Sequence, residues 1–503
     1  MTEHLLAIHI GPVQEFIAAA RRTADLWAGS QLLLEVVGAA AATFDDADRV
    51  FPRDPDGGGA NRILTFVAGD PAAAVARAEN AARDHLIQCW RTYTGRLNDS
   101  QRRALDLERG DRQIRDFLTV MGAWVPVASR AEYGAARERV ELLLRGRKAT
   151  RDFTPATGDD AGLPKSPLDP SLPTIRRHGT EHAQALTKGP LFLKRTESLD
   201  AISLLKRIKG VTEGDKVLST RALAQRAKDP DAVDSPTGSG DPDDDATPPD
   251  HAYFAIVVAD GDRMGQLLER LAASPDGVDR HRSVGRNLDA FADSARRKLR
   301  VSGQPVYCGG DDVMAFLPVT TALSVTQELA HEFTATLGGE STLSAGVAVV
   351  HYKEPLSTGL ARARRAEQEA KRQRDAICVA IHTRGGFPRS IVRRWAELRL
   401  DDWQRHFAEQ HLPAGLPYEL HQLAIGWPSN LPAAALAGEA ERVINRKIER
   451  TEDSDDAKTA LIQFIRDSLG AGGNPAEALS QIAEELTMAR FLAGTVEEKE
   501  GDG

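Results

Sequence analysis

The sequence is poor in cysteine, in aromatic residues and in long apolar runs. Its three cysteines, Cys89, Cys308 and Cys378, stand far apart among 503 residues, which excludes a disulfide framework and a Cys-x-x-Cys zinc ribbon. Aromatic residues make up only 5% of the sequence, so we expect cores made mainly of Ala and Leu. This composition favours helices packed on small sheets. No apolar run approaches membrane-spanning length, and residues 1–10 lack the basic-then-apolar order of a signal peptide. We therefore expect a cytoplasmic protein without a membrane partner.

An excess of positive charge is also lacking. Lys and Arg number 64 against 73 Asp and Glu, for a net charge of -9, so no overall basic field can hold nucleic acid. Contacts to RNA would have to be local or made through partner subunits. None of the 13 histidines is followed by aspartate, so an HD-type metal nuclease is not expected. The GxxxxGK[ST] frame of a phosphate-binding loop is missing as well.

The most informative segment is residues 305–318, in which two apolar runs are joined by Gly309-Gly310 and followed by Asp311-Asp312. The pattern predicts a β-hairpin, because both glycines can supply the positive φ of a tight turn. Adjacent half-buried aspartates repel each other unless a cation neutralises them, which indicates a metal site at the tip. The alternative is a solvated turn, in which Gly and Asp are common.

A second acidic element favours the metal site. Residues 252–259 form an apolar, β-branched run typical of a buried strand, and Asp260-Gly261-Asp262 follow it directly. A strand delivering Asp260 beside a hairpin delivering two aspartates is the arrangement of a polymerase or cyclase palm. Oxygen-only ligands favour Mg²⁺ or Mn²⁺ over zinc. We expect two such ions, held by Asp260, Asp311, Asp312 and the Gly261 carbonyl, with the three aspartates as catalytic residues.

The expected nucleotide contacts are Gly309, Gly310, Asp262 and Lys371. Asp262 has two interpretations, a neighbour of the metals or an N-cap of the following helix. Lys371 also has two: a cation aimed at a triphosphate, or part of a solvated helix face as an i,i+4 pair with Glu367.

The order of elements predicts an α+β protein with two ferredoxin-like palms. The first, residues 1–148, is non-catalytic because its presumed turn, residues 56–61, leads into a strand without a carboxylate pair. A helical middle domain (149–228) and a disordered acidic linker (229–250) precede the catalytic palm (251–386) and a C-terminal helical bundle (387–503). In detail we expect a helix over 13–44 broken near Gly29, one helix over 263–300, and a helix over 391–410.

Five segments in this order resemble the large, polymerase-like subunit of Cmr-type (type III-B) CRISPR effector complexes. They are residues 10–17, 197–207, 259–265, the Gly-Gly-Asp-Asp hairpin, and 344–347 together with 351–353. The resemblance implies assembly with other Cmr-type subunits, guide RNA and target RNA, and conversion of ATP into cyclic oligoadenylate messengers when target RNA pairs with the guide. It also implies metal-ligand roles for Asp260, Asp311 and Asp312, and a triphosphate contact for Lys371.

Two departures from the family limit what the resemblance implies. Many members begin with an HD nuclease domain, for which there is no room before the first palm, and many carry a four-cysteine zinc site, which is missing near Asp200 and Ser203. DNA cleavage by this chain and bound zinc are therefore not expected. Three alternatives stay open: a catalytically silent palm-fold scaffold in the same complex, a cyclase that makes another ATP-derived messenger, and a stand-alone GGDEF-type cyclase, which Asp312-Val313 disfavours.

Overall fold

The computed structural model describes residues 2–54, 61–150, 162–177, 185–187, 193–194, 197–214, 217–232, 252–448 and 452–493. Residues 55–60 and 233–250 therefore lie outside the described residues. They include most of the presumed first-palm turn (56–61) and most of the expected acidic linker (229–250). No helix among the described parts of the chain is long and apolar enough to span a membrane.

The first sheet has the ferredoxin-like order that the sequence predicts. Its strands β1–β4 run antiparallel in the spatial order β2-β3-β1-β4. Leu6 and Ile8 of β1 face a core shared with helices α2 and α3, while Leu5 and Ala7 face the helix α6. The elements are β1 (Glu3–Gly11), α1 (Gln14–Ala18), α2 (Thr23–Ala41), β2 (Arg49–Phe51), β3 (Arg62–Ala68), α3 (Pro71–Gly95), α4 (Asp99–Arg103), α5 (Leu107–Phe117), β4 (Thr119–Val127) and α6 (Tyr133–Ala149).

The second sheet repeats this order and adds two strands. Its spatial order is β10-β9-β8-β5-β7-β6, in which β8-β5-β7-β6 matches the first sheet and β9 pairs parallel to β8. The predicted hairpin is present as β6 and β7. The elements are β5 (Tyr253–Gly261), α9 (Met264–Ala272), α10 (Gly277–Ser302), β6 (Gln304–Gly309), β7 (Asp312–Pro318), α11 (Ala322–Thr336), β8 (Leu343–His351), α12 (Leu356–Gln373), β9 (Ala376–Ile381) and β10 (Arg389–Arg394).

Close packing of α12 on β8 brings the end of that helix to the end of β5. Every residue of β8 is buried. A Cβ on Gly346 would lie 2.1 Å from the backbone nitrogen of Glu367 and 2.5 Å from the carbonyl oxygen of Ala363, so only glycine lets helix and strand approach this closely. This contact fixes the last turn of α12, which carries Lys371, against the sheet.

The middle segment packs as helices α7 (Ala201–Glu213) and α8 (Thr220–Gln225), and α7 lies against α2, α3 and α5. Arg207 of α7 is buried and forms ion pairs with Asp25 at 2.8 Å and with Glu197 at 3.0 Å. The middle segment thus shares one core with the first palm. The domain boundaries themselves stay a prediction.

Three local expectations were wrong. The helix predicted over 13–44 is interrupted at residues 19–22 and not near Gly29. The interruption occurs there because the Lys206 ammonium donates hydrogen bonds to the carbonyl oxygens of Phe16 and Ala19 at the end of α1. The helix predicted over 263–300 is interrupted between α9 and α10, where Pro275 has no N–H to donate.

The third concerns the helix predicted over 391–410. Residues 389–394 form strand β10, which satisfies the hydrogen bonds on the open edge of β9, and Ile391 packs into the core. The C-terminal helices follow as α13 (Leu400–Ala408), α14 (Leu416–Ile425), α15 (Ala433–Lys447), α16 (Glu452–Gly470) and α17 (Pro475–Leu492).

Candidate active site

The predicted aspartates lie together at one end of the second sheet. Asp260 at the end of β5 is the cross-strand partner of Asp312 at the start of β7. Asp311 occupies the turn, and its carbonyl oxygen accepts a hydrogen bond from the Gly261 N–H at 3.1 Å. Strand pairing therefore places the three side chains where the sequence predicts them.

The turn differs by one residue from the expectation. Gly309 ends β6 and pairs with Asp312, so the two turn residues are Gly310 and Asp311. Gly310 alone of the two glycines has a positive φ, 62°, which its lack of a Cβ permits. Asp311 is thereby lifted to the tip of the hairpin.

Lys371 points into this site. Its ammonium donates to the Asp260 carboxylate and to the Gly261 carbonyl oxygen, the latter at 2.8 Å. Only 24% of the Lys371 side chain is exposed, so the solvated-face alternative is wrong. Contact with a triphosphate stays a prediction. In the structure Lys371 supplies one positive charge beside three carboxylates.

Asp262 faces away from the hairpin, toward β8. Its carboxylate accepts hydrogen bonds from the Thr342 hydroxyl at 2.8 Å, the Ser344 hydroxyl at 2.9 Å and the Asp375 N–H at 2.9 Å. The N-cap alternative is wrong, because Arg263 occupies the cap of α9 and no side chain bonds there. Asp262 ties the end of β5 to β8 and to the loop after α12.

The electrostatics of the hairpin favour a bound cation. Removal from bulk water, followed by repulsion from Asp260, raises the pKa of Asp311. The pKa of Asp312 is raised well above its ordinary value by the same loss of solvation and by the Asp311 charge. Asp312 is nevertheless exposed, because it borders an open cavity. Protein surrounds that cavity on most sides, so the carboxyl group is exposed without being fully solvated. One lysine thus faces three carboxyl groups, a net deficit of positive charge.

The donor set suits Mg²⁺ or Mn²⁺. It consists of oxygen atoms from Asp260, Asp311, Asp312 and the Gly261 carbonyl, the ligands that these ions prefer. The three carboxylates are not drawn into one tight cluster, as two other groups of described residues are. The possible ligands are spread over a strand end and a turn. This arrangement suits two metal ions that share the ligands.

Two cavities beside the aspartates reach the first palm, which the sequence predicts to be non-catalytic. One of about 210 Å³ is bordered by Asp311, Asp312 and the first-palm residues Arg62 and Arg137. The other, of about 470 Å³, is bordered by Asp260, Asp312 and Arg364, and Asn61 lines both. The candidate site is therefore a groove between the two palms with basic residues on its walls.

The first-palm residues carried no signal in the sequence. Burial, followed by repulsion from Arg137, lowers the pKa of Arg62 to about 10, and Arg62 is paired with Glu141. Both arginines are more than 170 residues from Asp311, and no local motif marks them. Only the packing of the palms brings them to the groove.

Comparison with known proteins agrees with this architecture. Residues 253–378 match the family model described as Cas10/Cmr2, second palm domain, and residues 5–50 match the model of the CRISPR-associated protein Cmr2, N-terminal. A similar curated protein is the CRISPR system Cmr subunit Cmr2 of Pyrococcus furiosus, 30% identical over 178 residues. That alignment covers 29% of this chain and spans only about a fifth of the relative's length (20%).

Solved structures share the fold at low sequence identity. A Type III-B Cmr-beta structure in the apo state has a TM-score of 0.69 at 12% identity, covering 98% of this chain and 82% of that chain. A Csm1-Csm4 cassette in complex with cA4 has a TM-score of 0.51 at 14% identity, covering 97% and 70%. The matched segments resemble the second palm domain of Cas10/Cmr2 (residues 253–378) and the N-terminal part of Cmr2 (residues 5–50), which confirms the predicted resemblance.

Proposed function

We propose that this chain is the large subunit of a type III-B CRISPR effector complex and a nucleotidyltransferase that converts ATP into cyclic oligoadenylates. The observation that carries the proposal is the pairing of Asp260 with Asp312 beside Asp311 at the floor of an open groove. A palm-type nucleotidyl transfer needs acidic ligands at a strand end and at an adjacent hairpin, with open space for two nucleotides above them. This site supplies all three.

The chain's own residues have distinct roles in the proposed reaction. Asp260, Asp311, Asp312 and the Gly261 carbonyl would hold the metal ions. When bound, these ions lower the pKa of a nucleotide 3′-hydroxyl and offset the charge of the pyrophosphate leaving group. Lys371 holds the Asp260 carboxylate in position and adds positive charge beside it. No side-chain nucleophile is required, because phosphoryl transfer depends mainly on positioning and charge neutralisation.

The groove between the palms suits two nucleotides better than one. Asp312 borders both of its cavities, and basic residues border each: Arg62 and Arg137 in one, Arg364 in the other. Guanidinium groups there can contact triphosphates, since Arg presents a planar set of donors to phosphate oxygens. Similar folds have been solved with one ATP, with pppApA and with cA4, which supports adenine nucleotides as substrates and products.

Control of the reaction belongs to the assembled complex in this proposal. The chain's net charge is -9, so strong binding of RNA by the free chain is not expected. A similar fold has been solved as Cmr-beta bound to cognate target RNA, which supports other Cmr subunits, guide RNA and target RNA as partners. We infer that target RNA shifts the palms from an inactive to an active arrangement through these partners.

The test replaces Asp311 and Asp312 together by Ala in the reconstituted complex and analyses products from ATP and GTP by mass spectrometry. Cyclic oligoadenylate formed by the wild-type complex with matching target RNA should be abolished by the double change, with assembly intact. Asp455→Ala with Asp456→Ala is the matched control, because this adjacent aspartate pair is exposed on the distant helix α16. Near-normal product from the Asp311/Asp312 variant would overturn the assignment, and no product from the wild-type complex would leave the scaffold alternative.

A further inference from the structure

A second group of metal-ligating side chains lies on the first palm, away from the hairpin. His85 and Cys89 stand one turn apart on α3, and Glu35 faces them from α2. The Cys89 Sγ lies 3.5 Å from the His85 Nε2 and 3.8 Å from the Glu35 Oε2, and the last two atoms are 3.4 Å apart. Sulfur, imidazole and carboxylate donors therefore form a triangle between two helices.

The edges of this triangle fit one face of a zinc tetrahedron. Zinc binds sulfur at about 2.3 Å and nitrogen or oxygen at about 2.0–2.1 Å, so tetrahedral ligand atoms stand about 3.3–3.6 Å apart. The three measured separations are close to these values. The contact between His85 and Glu35 is the one of the N–H···O type, and at 3.4 Å it is long for such a hydrogen bond, which centres near about 2.9 Å. The two contacts to the Cys89 sulfur have lengths that fit either hydrogen bonds or the edges of a zinc site. The geometry therefore suits a cation between the three atoms.

The surroundings orient the carboxylate and balance the charge. The Lys209 ammonium donates to the other Glu35 oxygen at 2.8 Å, to Glu213 at 2.9 Å and to the Tyr93 hydroxyl at 3.0 Å. This contact turns the second Glu35 oxygen toward His85 and Cys89, as outer hydrogen bonds commonly do at metal sites. A divalent cation and Lys209 together would neutralise Glu35, Glu213 and a Cys89 thiolate.

We propose that Glu35, His85 and Cys89 bind a divalent cation of the zinc class and that the bound ion fastens α2 to α3. Three protein ligands of mixed sulfur, nitrogen and oxygen type select such an ion over Mg²⁺, which prefers oxygen. The three side chains are partly exposed, so an ion can enter from solvent and a water can take the fourth position. The expectation of no bound zinc rested on the isolated cysteines and on the missing four-cysteine site of the family. Neither criterion reveals this group, because fifty residues separate Glu35 from His85.

The test titrates the purified, chelator-treated full chain with Co²⁺ in the presence of excess Mg²⁺ and without nucleotide. Tetrahedral Co²⁺ gives visible d–d absorption, and a bound thiolate adds a charge-transfer band in the near ultraviolet. We expect both, saturating at one ion per chain and abolished by Zn²⁺. Cys89→Ser should remove the charge-transfer band, and His85→Gln should weaken binding by about 100-fold or more, since even outer-shell changes cost about 10–100-fold.

Two controls separate this site from other ligands. His411→Gln disrupts the only other tight cluster among the described residues, His406, Glu409 and His411, which has no sulfur, so the charge-transfer band should persist. Without metal, Cys89→Ser should melt at the wild-type temperature, which shows that it folds, and Zn²⁺ should raise the melting temperature of the wild type only. A wild-type chain without the charge-transfer band, a band retained in Cys89→Ser, or equal Zn²⁺ stabilisation of both would overturn the proposal.

Discussion

The acidic hairpin should destabilise the metal-free protein, whereas the nearby Asp262 should stabilise it. Asp311→Asn removes a charge that lies next to two other carboxyl groups, and the pKa of Asp311 is raised from 3.8 to about 6. A rise of about two units corresponds to about 3 kcal/mol. Because Asp311 is only partly buried, solvent screening reduces the expected gain in unfolding free energy to about 1–2 kcal/mol at pH 7.5.

The sign of the pH dependence follows from the raised pKa. The folded chain holds the Asp311 proton more tightly than the unfolded chain, so the cost of the charge is full above about pH 6 and fades as the pH falls from 6 toward 3.8. The advantage of Asp311→Asn should therefore be largest at pH 7.5 and smaller at pH 5. Mg²⁺ should stabilise the wild type more than the variant, because a ligand stabilises the state that binds it.

Asp262→Asn, just after the neighbouring strand β5, is the matched comparison. Its carboxylate accepts three hydrogen bonds in a buried position, and an amide nitrogen would face one of those donors, at a cost of about 1–3 kcal/mol. Urea unfolding in a chelator, followed by tryptophan fluorescence at pH 7.5 and pH 5, measures both variants. The reasoning fails if Asp311→Asn is less stable than the wild type, or if Asp262→Asn is more stable.

Other contacts make further predictions. Arg207→Ala leaves Asp25 and Glu197 buried without their cation and should lower the unfolding free energy by about 3–5 kcal/mol, measured by urea unfolding with exposed Arg297→Ala as control. Burial, with repulsion from Arg137 and Arg62 adding to it, lowers the pKa of His281 to about 3. The unfolded chain therefore binds the proton first, and the stability of the fold decreases as the pH falls from 6.5 toward 3. His281→Asn should flatten this pH dependence in thermal melts at stepped pH, and an unchanged slope would contradict the reasoning. Lys371→Met should reduce target-stimulated synthesis by at least about tenfold, whereas Lys371→Arg should retain more of the activity. ATP conversion measures both variants, and an equal loss in both would exclude a role for the charge of Lys371 alone. Deleting several residues between 233 and 250 should leave stimulation by target RNA intact in the same assay, and its loss would show that the segment transmits the signal.

Much of the fold could be predicted from the sequence, because strand and helix patterns are carried by residues near one another in the chain. The strand over 252–259 and the hairpin over 305–318 formed where they were predicted, and Lys371 lies on a helix as expected. The errors lie where a distant group decides. Lys206 ends α1, and the open edge of β9 recruits residues 389–394 into a strand. Neither influence can be read from the neighbouring sequence.

The sequence by itself determined the set of acidic residues at the hairpin and the resemblance to the Cas10/Cmr2 family. Asp260, Asp311 and Asp312 are each placed by a local pattern, a strand end or a tight turn, whose conformation depends on a few adjacent residues. Only the tertiary structure decided which groups face that set: Lys371 from α12, and Arg62 and Arg137 from the other palm. It alone also brought Glu35 to His85 and Cys89. Distances between elements are set by how whole surfaces pack, and packing depends on residues that lie far apart in the chain.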